Sequence, residues 1–267
     1  MKKITAVFNQ AGGTGKSTLT QNLAYHLARR GHKTLTIDLD PQGSLTTFMG
    51  VEPTELNINP AEIILWDLEK DLTKKDLPIL KDIQGVDLIP ANLELGIAEF
   101  ELSTALYRET RLKRILEPIK DDYDHVLIDC PPSLGNLSLI ALCSASDVLV
   151  PIETQFKAIK GTDILMRTIM KIKRAGNREL RIAGFVPFRY DSRRRLDRTC
   201  LKGIQEQLAA VAHVFNPIST SAAMAEAASE SLPLAIKNPK EPNIKIFEEI
   251  ADLIAGKQLV HVEVSNG

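Results

Sequence analysis

The stretch NQAGGTGKST, residues 9–18, lies between an apolar run and an amphipathic stretch of helical length. Its residues Gly15, Lys16 and Ser17 fit the G-x-x-x-x-G-K-[ST] pattern of phosphate-binding loops, although the first position of that pattern is Gln10 instead of glycine. Backbone N–H groups at the start of a helix attract anions, and glycines let a phosphate approach the main chain. The stretch therefore predicts a strand, a phosphate-binding loop and a helix. A glycine-rich turn with an incidental lysine is the alternative.

Apolar runs alternate with helix-length amphipathic stretches along the chain. Most of the runs are continuously apolar, which is typical of strands covered on both faces in a parallel sheet. We therefore predict an α/β fold with a doubly wound, mostly parallel sheet, helices on both faces and a single domain over residues 1–267. The predicted strands are Ile4–Asn9, Thr34–Asp38, Val86–Pro90, His125–Asp129, Val148–Ile152 and Arg181–Pro187. The predicted helices are Lys16–Arg30, Leu95–Lys120, Leu137–Cys143, Ile159–Ala175, Leu196–Val211 and Ile244–Ala255, and residues 50–82 are interpreted as short helices and turns.

Three aspartates stand at the ends of predicted strands. Asp38 and Asp40 lie at the end of the second strand, and Asp129 ends the apolar run HVLID. In open α/β sheets, ligands gather outside the carboxyl ends of the strands. The three carboxylates and the glycine-rich loop are therefore expected at one edge of the sheet. Helix capping or turn formation is the alternative role for each aspartate.

The composition sets limits on the class of protein. The chain has 267 residues, a formal net charge of −1 and 44% hydrophobic residues, which suits a soluble globular protein with a sizeable core. Its three cysteines have no C-x-x-C spacing, which favours reduced thiols over a disulfide framework or a zinc site. The first apolar run is too short for a signal peptide, and no run has the length of a membrane span. We expect a cytoplasmic protein.

Three segments together resemble the deviant Walker A ATPases, the ParA/MinD family of P-loop NTPases. They are AGGTGKS at residues 11–17, DLDPQ at 38–42 and DCPPS at 129–133. The likeness continues through VLVPIETQFKAIKG, FVPFRYDSRRRLDR and VFNPISTSAAMAEAASESLPL, so that it covers about residues 3–234. The resemblance implies an ATPase that binds Mg·ATP, forms an ATP-dependent sandwich homodimer and converts ATP and water to ADP and phosphate.

The resemblance also implies roles for single residues. Phosphate binding is implied for Gly12, Gly13, Thr14, Gly15, Lys16, Ser17 and Thr18, with Lys16 also catalytic. Ser17 is implied to hold Mg²⁺, with Asp129 acting through a water molecule. Asp40 is implied to position or activate the attacking water, and Asp38 to support the metal side. Gln42 belongs to the first switch of the family, and Pro217, together with Phe188, is implied to line the adenine pocket.

One departure from the family pattern concerns charge. The defining lysine of the family reaches across the dimer to the partner's phosphates, but this chain has Ala11 at that position. Three explanations remain open: ATP binding without hydrolysis, slow hydrolysis, or a substitute cation. We favour the substitute and predict Lys157 as the catalytic cation, ahead of Lys160; two solvated lysines at a helix start are the alternative. The McdA branch of the family, which positions carboxysomes, is similar in this detail, so carboxysome positioning is favoured over plasmid or chromosome partition.

Residues 160–202 contain thirteen lysines and arginines but only four acidic residues. Such a face predicts non-specific binding to nucleoid DNA, with Lys171, Arg193 and Arg194 as contacts, although a solvated surface is the alternative for each. The last residues, 255–267, lack a basic amphipathic pattern, so we expect no membrane binding. We also expect an adaptor protein that stimulates the ATPase and links it to cargo. A DNA-binding scaffold with negligible turnover and a MinD-like membrane switch are the alternative functions.

Overall fold

The computed structural model describes residues 3–56, 59–66 and 71–257, together with the side chains in these ranges other than those of residues 156–160. The described strands are β1 Lys3–Val7, β2 Thr34–Asp38, β3 Leu80–Ile83, β4 Val86–Ile89, β5 His125–Asp129, β6 Asp147–Glu153, β7 Arg181–Tyr190 and β8 Ile218–Ser219. The described α-helices are α1 Lys16–Arg29, α2 Ser44–Phe48, α3 Pro60–Ile64, α4 Leu95–Glu101, α5 Arg111–Leu116, α6 Asn136–Ser144, α7 Phe156–Ala175, α8 Arg195–Leu208, α9 Ala222–Ser229, α10 Leu234–Lys237 and α11 Asn243–Ile254.

The described strands form one sheet in the order β3-β4-β2-β5-β1-β6-β7-β8. Neighbouring strands are parallel except for the antiparallel pair β3 and β4. From β1 the chain continues to β2, which lies towards the β3 edge of the sheet. From β6 it continues to β7, which lies towards the opposite edge, formed by β8. This reversal of direction puts the end of β1, where the glycine-rich loop begins, at the crevice where open α/β sheets bind ligands.

Apolar side chains fill a core on each face of the sheet. On one face, Ala6 of β1 and Ile37 of β2 share a buried cluster with residues of α6 and α7. On the other face, Val7 shares a cluster with Leu19 and Leu23 of α1 and with residues of α11. Successive strand residues point to opposite faces, so continuously apolar strands require a helical layer on both sides. The predicted doubly wound fold is therefore confirmed, while the extent of one domain over residues 1–267 stays a prediction.

The predicted strands all occur in the structure, with end points that differ by at most a few residues. The predicted single helix Leu95–Lys120 is wrong. It divides into α4, a turn, a 3₁₀ turn at Arg108–Thr110, α5 and a second 3₁₀ turn at Glu117–Ile119. Tyr107 has a left-handed φ of 53°, which an α-helix does not allow, and this turn ends the helical path.

Strands β3 and β8 were not predicted. β3 forms a hairpin with β4 through Gln84 and Gly85, whose φ angles are 56° and 84°. Two left-handed residues are what a tight two-residue hairpin turn requires, but Gln-Gly is a weaker sequence signal than Asn-Gly. β8 has only two residues and pairs with the end of β7, so it has no periodicity to detect.

Candidate functional site

The glycine-rich loop joins β1 to α1 and leaves the helix start open. Gly13 and Gly15 have φ angles of 74° and 86°, which side chains other than glycine rarely adopt. A Cβ atom on Gly15 would stand 2.5 Å from the ring of Phe188, so the loop packs directly on the end of β7. Among the described residues, no side chain caps α1 and no acidic residue lies in its first turn. The free N–H groups and the positive end of the helix dipole therefore form an anion-binding site.

Lys16 is the first residue of α1 and is almost completely buried. Its Nζ donates a hydrogen bond to the carbonyl oxygen of Ala11 across the loop, at 3.1 Å. Burial lowers the pKa of Lys16, whereas the neighbouring carboxyl of Asp129 acts to raise it. The ammonium group is therefore held at the loop by one backbone carbonyl and is close to the acidic strand ends.

Asp38 and Asp40 lie at the end of β2 and organise the segment that follows. Asp38 accepts hydrogen bonds from the Thr46 N–H at 2.9 Å, the Thr46 hydroxyl at 2.8 Å and the Asp40 N–H at 3.1 Å. Asp40 in turn accepts one from the Gln42 N–H at 3.0 Å. Burial raises the pKa of Asp38 to about 7, although the bonds from Thr46 oppose the shift. Thr46 is a site residue that the sequence reading missed, because a threonine in a short helix carries no signal of its own.

Asp129 ends β5 and faces the same edge of the sheet. Its Cα is paired with Asp38 on one side and with Val7 of β1 on the other. Both carboxylate oxygens are buried and have no hydrogen-bond partner of normal geometry among the described residues. Burial raises the pKa of Asp129 well above its ordinary value, with Asp38 adding to this effect and Ser17 and Lys16 opposing it. A buried carboxylate whose oxygens accept no hydrogen bond of normal geometry is the kind of group that a cation or an ordered water satisfies.

These donors suit Mg²⁺ held together with a phosphate ligand. Within the described residues, no group of three or more His, Cys, Asp or Glu side chains could hold a metal ion by itself. Mg²⁺ is usually bound by one or two protein oxygens, several waters and substrate phosphates, so such a group is unnecessary. The Ser17 hydroxyl and the buried carboxylate of Asp129 fit this pattern.

Comparisons with known proteins agree with this geometry. A family profile described as an AAA domain matches residues 2–182. The sporulation initiation inhibitor protein Soj of Bacillus subtilis is 32% identical over 256 residues, which span 96% of this chain and 99% of Soj. The chain belongs to the ParA/MinD family of ATPases.

Two solved structures are similar to this ParA/MinD-family chain. The cobyrinic acid a,c-diamide synthase of Mycobacterium smegmatis, with bound ATP analogue and magnesium, has a TM-score of 0.80 and 32% identity over 94% of this chain and 93% of the synthase chain. An ATP complex of McdA from Cyanothece has a TM-score of 0.83 but 22% identity, over 97% of this chain and 98% of McdA. At that identity the likeness to McdA concerns the fold alone.

The family resemblance assigned further residues to the nucleotide. Gln42 is exposed and donates its N–H to Asp40, which places it beside the acidic strand end. Phe188 is buried, and its ring packs directly against Gly15. Pro217 is half-buried and precedes Ile218, which pairs with Phe188 across β7 and β8. The structure therefore places Phe188 at the loop and Pro217 one residue before the strand partner of Phe188, and their contact with adenine stays a prediction.

Lys157 and Lys160 are the two candidates for the cation that replaces the family lysine at Ala11. Lys157 and Lys160 lie in the first turns of α7, among the residues whose side chains fall outside the described part of the structure. Backbone geometry places the start of α7 directly after β6, whose end is at the loop edge of the sheet. The substitution for the missing lysine at Ala11 stays a prediction.

The three predicted DNA contacts lie on two neighbouring segments. Lys171 is exposed on α7, and Arg193 and Arg194 are exposed immediately before α8, which packs against α7. Arg193 makes a bidentate ion pair with Asp191, with N–O distances of 3.0 and 2.9 Å. The Nε atom of Arg194 lies 3.6 Å from Oδ2 of the same carboxylate. Asp191 therefore neutralises part of this positive surface.

None of the helices in the described part of the chain has the length and apolar composition of a membrane span.

Proposed function

We propose that this chain binds Mg·ATP at residues 12–18, dimerises in the ATP-bound state and hydrolyses ATP to position a cargo on DNA. The observation that supports this most strongly is the meeting of an uncapped helix start with three buried carboxyl groups at one sheet edge. Phosphoryl transfer needs aligned reactants and neutralised charge more than covalent chemistry, and these groups supply both.

Each residue of the site has a distinct task in this proposal. The backbone of Gly12 to Thr18 and the Lys16 ammonium hold the phosphates. Ser17 and, through water, Asp129 hold the metal ion, which when bound neutralises charge on the phosphate oxygens. Asp40 orients the attacking water and accepts its proton. Asp38 keeps Asp40 in place by accepting a hydrogen bond from the Asp40 N–H.

The dimer supplies the charge that Ala11 lacks. Lys157 is proposed to reach the phosphates of the partner protomer, as the lysine of other family members does. Lys157→Ala should abolish ATP-dependent dimerisation, measured by light scattering with a non-hydrolysable ATP analogue, while the nucleotide affinity of the single chain is retained. Dimers that persist in this variant would transfer the role to Lys160 or remove it from both lysines.

DNA is proposed as the surface on which the ATP-bound dimer acts, in the cytoplasm and associated with the nucleoid. The excess of positive residues between 160 and 202 supports this. If each of Arg193 and Arg194 neutralises one phosphate, changing both to alanine lowers the slope of log affinity against log salt by about 2. The matched control changes Lys240 and Lys245, which are exposed and lie outside the basic stretch, and should leave that slope unchanged.

Cargo partition by way of an adaptor protein is the biological role proposed. Relatives at or above 30% identity include a chromosome-partitioning ATPase Soj of Treponema pallidum and a chromosome partitioning protein ParA of Caulobacter vibrioides. Carboxysome positioning is the second candidate, favoured by Ala11, the departure from the family pattern in which this chain resembles the McdA branch. Deleting the gene and imaging the separate distributions of chromosomes and carboxysomes distinguishes the two.

Steady-state phosphate release with and without DNA tests the activity. Asp40→Ala should keep Mg·ATP binding by calorimetry and lower turnover by about a hundredfold or more. Asp121→Ala is the control, because Asp121 is exposed and lies just before the opposite end of β5. Binding without phosphate release by the unaltered chain would indicate a scaffold, and ATP-dependent sedimentation with liposomes a membrane switch. If the unaltered chain takes up no Mg·ATP, the proposal fails.

A further inference from the structure

A second positive side chain lies at the phosphate loop. The Nη1 atom of Arg189 is 3.7 Å from the place where a Cβ atom on Gly13 would stand. Gly13 is part of the loop that we propose binds phosphate, and it is exposed, with a left-handed φ of 74°. The sequence counts Arg189 among the thirteen positive residues of 160–202, and the family resemblance gives it no role at the phosphate loop.

The end of β7 holds Arg189 in this position. Arg189 has a φ of 57°, in the left-handed region that residues other than glycine seldom occupy. Phe188, directly before it, is buried against Gly15. Thr154 donates its N–H to the Phe188 carbonyl at 3.1 Å and its hydroxyl to the Arg189 carbonyl at 3.4 Å. The uncommon backbone conformation is therefore fixed by packing on one side and hydrogen bonds on the other.

Arg189 has one ion-pair partner in the described structure, Glu153 at the end of β6. The Nη1 to Oε1 distance is 3.1 Å, with 57% of the Arg189 side chain and 17% of the Glu153 side chain exposed. Glu153 also lies 3.8 Å from the same Cβ position on Gly13, and it lines a cavity of about 410 Å³ along the loop. A lone carboxylate at that place repels phosphate. The ion pair neutralises the negative charge of Glu153 and keeps the guanidinium of Arg189 next to the loop.

We infer that Arg189 is a second phosphate-binding cation of this loop, acting within a single chain. The inference rests on the proposed binding of Mg·ATP. A guanidinium offers several donors in one plane, which suits phosphate oxygens, and it has free donors while Glu153 occupies one. Arg189 thereby supplies part of the positive charge that Ala11 does not. This role differs from that of Lys157, which is proposed to act across the dimer.

Calorimetry with Mg·AMPPNP, a non-hydrolysable ATP analogue, tests the inference at protein concentrations where the chain is monomeric. Arg189→Ala should weaken binding about tenfold, as expected for the loss of one partly exposed charged hydrogen bond. Arg189→Lys should recover part of the affinity. Arg181→Ala is the matched control, because Arg181 is an exposed arginine at the other end of β7 and faces Asp147 of β6, and it should bind as the unaltered chain does.

A double-mutant cycle separates phosphate binding from simple neutralisation of Glu153. If Arg189 contacts phosphate, Arg189→Ala weakens binding about tenfold even when Glu153 has been changed to glutamine. If Arg189 only neutralises Glu153, the loss vanishes in the Glu153→Gln background, and the inference is wrong. Thermal unfolding without nucleotide checks that all variants are folded. Failure of the unaltered chain to bind Mg·AMPPNP would overturn the proposed function, whereas normal binding by Arg189→Ala would overturn this inference alone.

Discussion

At the scale of single residues, Thr46 connects the acidic site to the core. Its hydroxyl donates to Asp38 at 2.8 Å and accepts the N–H of Ala91 at 2.9 Å, and the side chain is fully buried. One oxygen atom therefore satisfies a buried carboxylate and a buried amide. Removing it leaves both groups without that partner, and an unsatisfied buried polar group costs more than an ordinary hydrogen bond contributes.

Thr46→Val should lower the free energy of unfolding by about 1–3 kcal/mol at neutral pH. The carboxyl of Asp38 ionises near pH 4 when unfolded but near pH 7 when folded, so stability falls as the pH rises from about 4 to 7. Without the Thr46 hydroxyl the folded pKa rises further. The gap between variant and unaltered chain should therefore widen from pH 4.5 to pH 8 in urea titrations.

Thr47→Val provides the matched comparison for this prediction. Thr47 is the next residue of α2 and is exposed, so the same chemical change there should alter stability little at any pH. A gap for Thr46→Val that stays constant with pH would mean that the hydroxyl has no effect on the ionisation of Asp38.

His26 on α1 predicts that the free energy of unfolding falls at acid pH. Burial lowers its pKa to about 4, with Arg30 adding to the shift, and its Nε2 has no partner among the described residues. The unfolded chain takes up this proton below about pH 6.5, whereas the folded chain excludes it until about pH 4. Stability is therefore lost as the pH falls through this window, by no more than about 3 kcal/mol.

His26→Leu should remove this component. The difference in unfolding free energy between the variant and the unaltered chain should shift in favour of the variant from pH 7.5 to pH 4.5, as measured by urea titration. At pH 7.5 His26 is uncharged in both states, so that measurement isolates the packing effect of the substitution. Parallel curves for the two proteins over the whole range would contradict the assignment.

At the scale of elements, α4 caps another helix. The carboxylate of Glu99 accepts the N–H groups of Asn136 at 2.6 Å and Leu137 at 2.8 Å, which begin α6. Asn136 donates its side-chain amide to the Glu99 carbonyl at 2.9 Å. The segment between Asp129 and α6 is thereby tied to α4. A negative group at a helix start also interacts favourably with the helix dipole.

Glu99→Gln should destabilise the fold by about 1 kcal/mol, because one charged acceptor is lost at the start of α6. Hydrogen exchange at the Leu137 amide should become faster than in the unaltered chain. Glu101→Gln is the control on the same helix, since Glu101 is exposed, and it should leave both measurements unchanged. Unchanged exchange in Glu99→Gln would show that Glu99 does not hold the helix start.

The elements also show what a sequence can predict. β5 matches its predicted bounds because the apolar run Val126–Ile128 that ends in aspartate is typical of a buried parallel strand. β2 also matches, because β-branched Thr34, Thr36 and Ile37 favour a strand and an aspartate ends it in the same way. The region after Leu95 was predicted wrongly, since its helical periodicity continues across a left-handed turn at Tyr107 that only the backbone reveals.

In the candidate site, too, the sequence predicts some residues, and others are shown only by the folded backbone. The loop residues and the three aspartates were placed at one edge by their positions after strands. The position of Arg189 next to the loop was not predictable, because it depends on the pairing of β6 with β7 and on the conformation at the end of β7.

At the scale of the whole molecule, the fold buries several ionisable groups close together at one edge of the sheet. Asp38 and Asp129 are buried side by side with raised pKa values, and the nearby Lys16 has a lowered one. Each of these groups is less stable in its charged form than in water. A bound cation and phosphate favour the charged forms, so ligand binding offsets this cost of burial and stabilises the fold.

Mg·ATP should therefore raise the unfolding free energy, by about 2.7 kcal/mol at a hundredfold excess over its dissociation constant. Chelation of Mg²⁺ with EDTA at constant ATP should reverse most of this gain. The unfolding temperature of Asp40→Ala, in which ATP is not consumed, should depend on protein concentration with Mg·ATP but not with Mg·ADP, because only the triphosphate joins two chains. A midpoint that is independent of protein concentration with Mg·ATP would mean that one chain binds the nucleotide alone, and the proposed dimer would be wrong while the nucleotide site remained.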